Sequence, residues 1–430
     1  MKTKLMAASA LCVLLASSCS GPKDANGGQG ADPTPSVKKQ EPVTVTAAID
    51  GTYDEQFAET LSRHVKNKYP NVILDMLNSN GGNKLDNLLA SNMIPDIIFT
   101  YNGNLKSYKD KGLLYDLKSL MKEANVPEER FEANYMADIR NAVDGNAING
   151  LPYETTFHAL FYNKGIFDMF GVPYPKAGMS WDDVYELAKR VTRQEGGVQY
   201  RGGDPGSGVI WISQPLSIAA VDYRTEKASV KSDQWRMIFE LVKKMYDIPG
   251  NTPVGAPLDQ FTKTKTLAMI GQLNIFGRLA DAEKEGMDWD VTQYPSFKER
   301  PNTFGNASVS VAIITQTSKH KEAAMQVLDV LTSDAYQTER TRGGAITTLR
   351  SPGVKAEFGK DVPSLTGKHV EDIFKSKPVP YPTASMYRSK AESLLKKEFD
   401  KFAAGGMDVN TALNQADEAI NKLIEAERIK

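Results

Sequence analysis

Between Val43 and residue 100 the chain runs through three short β-prone segments separated by two helical patterns, and this alternation limits the fold more than any other feature. Val43–Ile49, VTVTAAI, alternates well enough for a strand and stops at Asp50-Gly51. Phe57, Leu61, Val65 and Tyr69 then recur every four residues up to Pro70, which predicts an amphipathic helix. Val72–Leu77 reads as a second strand, Gly81-Gly82 leads into a helix over 84–91, and Pro95 introduces a third strand over 96–100. Strands joined through single helices by short loops require right-handed crossovers and a parallel sheet. Ligands in such sheets bind beyond the carboxyl ends of the strands. Two loops are therefore site candidates: 50–53, with Asp50 and Tyr53, and 101–104, with Tyr101, Gly103 and Asn104. Tyr101, at a strand's carboxyl end, offers a ring face and a hydroxyl to a ligand, which favours a site role over that of a packed loop aromatic.

The chain is 430 residues long, more than one ordinary core accommodates, so two lobes are expected. With 52 basic against 53 acidic residues and a formal net charge of -1, it has no basic excess for neutralising phosphates, which argues against nucleic acid. Residues 1–19, MKTKLMAASALCVLLASSC, carry Lys2 and Lys4 ahead of a short apolar core, the shape of an export signal too short for a permanent span. Cys12 would leave with that signal, and a mature chain holding Cys19 alone has neither a disulfide nor thiolate chemistry. Residues 20–42 contain one large apolar side chain, Val37, and read as a disordered tether.

The segment 150–192, GLPYETTFHALFYNKGIFDMFGVPYPKAGMSWDDVYELAKRVT, carries strong local signals. Pro152 and the β-branched and aromatic residues after it read as extended; Gly171 and Pro173 end a short helix; Ser180 with Asp183 opens another, whose apolar face is Trp181, Val184, Leu187, Ala188 and Val191. The order G-L-P, a polar-aromatic run, A-L-F-Y-N-K, F-D-M-F-G-V, a Pro-rich turn and S-W-D-D resembles the bacterial extracellular solute-binding proteins of the maltose-binding type, the capture subunits of ABC importers. P-D-I-I-F-T-Y-N-G-N followed by G-L-L-Y-D-L, and F-T-K-T-K-T-L-A-M-I-G followed by Q-L-N-I-F, are similar to further landmarks of that family, and the resemblance covers nearly all of 43–430.

The resemblance implies an α/β, two-lobe periplasmic-binding-protein-like fold with a ligand cleft between the lobes and crossing hinge strands. Lobe 1 would comprise 43–152 plus 305–344, and lobe 2 would comprise 153–304 plus 345–430. It also implies a small-molecule solute, on analogy an oligosaccharide, an ABC permease as partner, a monomeric state and no cofactor. The A-S-S-C ending of the signal looks like a lipobox, which makes Cys19 the lipidated residue of a chain anchored outside the cytoplasm. By position, Tyr101, Gly103 and Asn104 fall on contact positions, where maltodextrin binders tend to have an acidic and a basic residue, so a maltose-like ligand is not supported.

Tyr153 and Glu154 would lie on the cleft floor, Glu154 accepting from two adjacent sugar hydroxyls or else facing solvent at the hinge. Trp211, after the Gly-rich 202–208 stretch, is either a stacking platform or core. Asn274 and Phe276 follow the Ala-Met landmark, after which the resemblance implies a residue that stacks on the ligand, so both are contact candidates. Phe304, a further ligand-contact candidate, opens a predicted strand over 304–315 that returns to the first lobe, and 343–346 would cross again.

No catalytic constellation stands out. His64, His158, His320 and His369 are scattered without metal-ligand spacing; 144–150 fails the register of a calcium loop, and 202–208 lacks the Lys-Ser/Thr of a phosphate loop. Two further classes remain open: a sensory or adhesive glycan-binding lipoprotein without a transporter, and a glycan-active enzyme with a carboxylate pair across the cleft.

Overall fold

The computed structural model describes residues 41–77, 85–143, 145–206, 208–383 and 385–429. The signal with Cys19, the tether up to residue 40 and the Gly81-Gly82 lead-in lie outside the described residues. The first sheet has six strands, in spatial order 346–347, 151–155, 309–314, 97–101, 43–49 and 72–77. β1 (Val43–Ile49) pairs in parallel with β2 (Val72–Leu77) and β3 (Ile97–Tyr101), as crossovers through helices require. The helix Glu55–Lys68 lies between β1 and β2 in sequence. Asp54 caps it by accepting from the Phe57 amide at 3.0 Å, and its four-residue repeat buries Phe57, Leu61 and Val65. Each such side chain contributes about 1.5–3 kcal/mol on leaving water.

The other half of that sheet is antiparallel. β13 (Val309–Ile314) lies antiparallel between β3 and β4 (Leu151–Thr155), and β14 (Ile346–Thr347) closes the edge antiparallel to β4. These strands arrive from distant parts of the chain and not through helical crossovers, so nothing constrains them to run parallel.

A second sheet is built on β5 (Ala159–Asn163), flanked by β10 (Met269–Gln272) and β11 (Trp289–Gln293), both antiparallel to it. β6 (Arg193–Glu195) with β7 (Val198–Tyr200), and β8 (Val221–Asp222) with β9 (Lys227–Ala228), are short hairpins. The helix Trp181–Val191 packs Trp181, Val184, Leu187, Ala188 and Val191 inward. Its capping box is complete: the Ser180 hydroxyl accepts from the Asp183 amide, and the Asp183 carboxylate accepts from the Ser180 amide and hydroxyl, which holds its pKa below the usual carboxylate range.

The chain changes sheets between Thr155, the last residue of β4, and Ala159, the first of β5. The predicted single strand over 304–315 is two strands. β12 (Thr303–Asn306) pairs in parallel with β15 (Lys377–Val379), while β13 belongs to the first sheet. Asn102 holds the break: its side-chain amide donates to the Ala307 carbonyl and accepts from the Val309 amide, both at 3.3 Å, so ladder partners are replaced by a side chain. Among the described residues, no helix is long and apolar enough to cross a membrane.

Candidate functional site

The site forms where the chain changes sheets. In the β4–β13 ladder Glu154 pairs with Ser310 and Pro152 with Val311, so Tyr153 stands opposite no residue. This is a β-bulge, which re-aims side chains locally. The Tyr153 ring, expected on the cleft floor, goes instead into the core. It is 8% exposed, with ring centroids 5.7 Å from Phe57 and 6.0 Å from Phe99, and burial pushes its hydroxyl pKa up. Glu154 is half-buried, and its carboxylate accepts from Nε of Arg340 at 2.7 Å and from Nη2 at 3.3 Å. The Arg340 guanidinium lies 5.6 Å from the centre of the Phe57 ring. Glu154 therefore faces a cation of its own chain and not solvent.

Beside this pair is a cavity of about 410 Å³. Its wall combines Asp54 and Gln56 from the start of the first helix, Thr156 from just past β4, Ser310 from β13, Asn274 from beyond β10, and Gly344 from the connection before β14. Asn274 is exposed; its side chain accepts from the Phe276 amide at 3.0 Å and donates to the Gly344 carbonyl at 3.4 Å, joining the second sheet's end to the first sheet's edge. Phe276, expected beside it as a stacking ring, is 5% exposed and sits among Phe157, Phe161 and Trp289 at 5.6, 6.0 and 6.1 Å. The correction has a simple cause: Phe276 is the first residue of a helix that docks on an aromatic cluster.

Just past the crossing, His158 builds a second feature. Its ring is stacked on Trp211 at 5.2 Å and 17°, with Phe304 and Tyr294 also at 5.2 Å. His158 is 3% exposed, its Nδ1 has no hydrogen-bond partner among the described residues, and burial lowers its pKa to about 3. It is a neutral aromatic support. Trp211, on the short helix Val209–Ser213, stays half-buried. Phe304, expected at the ligand, is 4% exposed and supports His158 from below. Gly305 permits the approach, because a Cβ there would stand 3.0 Å from Cε1 of His158 and 2.8 Å from Cβ of Gln214.

The loops beyond β1 and β3 are tied to each other. Asp50 Oδ2 accepts from Thr100 at 2.8 Å, Asn104 at 2.7 Å and Tyr108 at 2.6 Å, so Asp50 and Asn104 satisfy one another. Tyr53 is half-buried, and burial together with Glu55 and Glu59 raises its hydroxyl pKa. Tyr101 is 40% exposed and lies near Tyr381; a side chain at Gly103 would meet both rings, the Tyr381 hydroxyl at 2.6 Å. Arg388 Nη1 donates to that hydroxyl at 3.1 Å, and the Tyr381 amide donates at 2.8 Å to Asp138, whose carboxyl burial pushes up to about 6. Between Gln214, Asn306 and Arg388 the free space is only about 30 Å³, room for about one water.

Arg340, Asp54, Gln56, His158 and Tyr381 were not singled out as site residues by sequence. His158 reads there only as one of four scattered histidines. Their placement depends on distant partners: Arg340 on Glu154, 186 residues away, and Tyr381 on Asp138, 243 residues away. Among the described residues, no group of His, Cys, Asp and Glu could hold a metal ion.

The family model for bacterial extracellular solute-binding proteins matches residues 51–338, about two thirds of the chain. The chain belongs to this family. Among its relatives, the sn-glycerol-3-phosphate-binding periplasmic protein UgpB of Brucella melitensis is 23% identical over 308 residues, 66% of this chain and 69% of that protein. An ABC substrate-binding protein from Listeria monocytogenes, solved in complex with cycloalternan, superposes with a TM-score of 0.72 at 17% identity, covering 90% of this chain and 100% of that one. A sugar transporter from Rhizobium etli in an open conformation gives 0.74 at 18% identity, covering 88% and 99%. The two-lobe periplasmic-binding-protein fold follows. Capture of a solute outside the cytoplasm is the family's function.

Proposed function

We propose that the chain captures a carbohydrate, an oligosaccharide in preference to a monosaccharide, between its two lobes and delivers it unaltered to a membrane ABC permease. Lobe 1 is assigned to 43–152 plus 305–344 and lobe 2 to 153–304 plus 345–430, with Cys19 as the lipid anchor of a monomeric, cofactor-free protein. The observation that carries the cargo reading is the 410 Å³ cavity at the crossing strands, whose wall of hydroxyls, amides and a carboxylate–guanidinium pair suits sugar hydroxyls. Trp211 on its His158 support supplies a rigid ring face. Solved structures of the same fold include the Rhizobium etli sugar transporter.

Ligand touching both lobes gains its full contacts only when they close, and that differential affinity shifts the population toward the closed form. A thermal-shift screen across neutral oligosaccharides tests the cargo: at least one should raise Tm in a concentration-dependent way. Stabilisation by other solutes alone would remove the carbohydrate reading, and turnover of a hit would replace capture by catalysis.

A further inference from the structure

The charged residues on the cavity wall are Asp54, Glu154, Glu339 and Arg340, three carboxylates against one guanidinium. Glu339 is engaged with Arg63 at 2.5 Å and with His64 at 2.9 Å, and Asp54 caps the first helix, so the positive end of that helix already has its anion. Arg340 is fixed by Glu154 through Nε and Nη2 and by the Phe57 ring, while Nη1 has no hydrogen-bond partner among the described residues. Uncharged groups, Gln56, Thr156, Asn274 and Ser310, supply the rest of the polar wall.

We propose that the Glu154–Arg340 pair is a specificity determinant that admits uncharged polyhydroxylated solutes and turns away their phosphate esters. The inference rests on the reading that this cavity holds the cargo. Two neighbouring hydroxyls can satisfy the pair as it stands, one accepting from Arg340 Nη1 and the other donating to a free lone pair of the Glu154 carboxylate. A phosphate monoester brings a charge of about -1.5 to -2 at pH 7. It must either draw Arg340 away, leaving Glu154 a half-buried carboxylate without its partner, or rest against carboxylates with the guanidinium occupied. Either course weakens binding. The pocket thus differs in the ligand it suits from the relative named for sn-glycerol 3-phosphate.

Isothermal titration of the purified protein with sucrose, trehalose and maltotriose beside trehalose 6-phosphate, glucose 6-phosphate and sn-glycerol 3-phosphate tests this. At least one neutral sugar should bind, with every phosphate ester at least about tenfold weaker, a gap of about 1.4 kcal/mol. Glu154→Gln, which keeps an acceptor but releases Arg340, should narrow that gap by strengthening the esters, an effect a purely structural ion pair would not produce. Asp54→Asn keeps an equally good helix cap while removing a charge, so it serves if Glu154→Gln does not fold, and it should narrow the gap as well. Esters binding wild type as tightly as the neutral sugars, or a gap unchanged in the folded variants, overturns the inference and leaves carbohydrate capture standing. If neither class binds, carbohydrate capture itself fails and this inference with it.

Discussion

Two regions only a few residues apart in the chain, the Glu154–Arg340 cavity wall and the His158–Trp211 stack, handle charge in opposite ways. Glu154 and Arg340 each meet a counter-charge, with Arg340 Nε donating to the Glu154 carboxylate at 2.7 Å. His158 has an ordinary solution pKa near neutrality but no carboxylate partner, and burial among rings keeps it neutral. The first region can discriminate ligands by charge; the second offers an uncharged ring surface on a support that stays apolar at physiological pH. What separates them is the presence of a counter-charge, since an ionised group leaves water at tolerable cost only when paired.

The strongest challenge to this contrast is His158→Ala. Deleting a ring packed against Trp211, Phe304 and Tyr294 should cost about 3 kcal/mol of stability, measured by denaturant unfolding, because the surrounding rings cannot collapse into the space. A loss under 1 kcal/mol would show that the stack is not the support described. Acid should have the next largest effect. The folded His158 pKa lies below its unfolded value of 6.5, so its contribution is fully present above pH 6.5 and is lost as pH falls toward about 3. By pH 5 that loss is about 2 kcal/mol. His158→Phe should keep the stack and remove this component of the pH dependence; an unchanged slope would mean that another group titrates.

The smallest expected effect sharpens the division of labour. Trp211→Ala should weaken sugar binding about tenfold, about 1.4 kcal/mol, while leaving Tm nearly unchanged, because the ring is half-buried. Unchanged affinity would confine binding to the polar cavity and make Trp211 a surface ring.

How much of this was legible in the sequence follows the range of each interaction. β1, β2 and β3, the helix between the first two, and the Ser180–Asp183 box depend on neighbours within a few residues, and they stand where propensity and spacing put them. Asn102 was hidden as an organiser because its partners, Ala307 and Val309, lie about two hundred residues on, so the break between β12 and β13 could not be read from 304–315. Tyr153 and Glu154 were both expected at the cleft. The bulge that separates their destinies is a property of the β4–β13 register, not of either residue type.

The sequence by itself therefore determined the alternation of strands and helices, the stretch where the chain changes sheets, and the family, because these depend on periodicity and local motifs. Only the tertiary structure decided that Glu154 meets Arg340, that His158 carries Trp211, and that Phe276 and Phe304 belong to cores. Those outcomes turn on desolvation and on contacts between segments far apart in the chain, and a one-dimensional pattern carries no record of which charge or ring will arrive alongside.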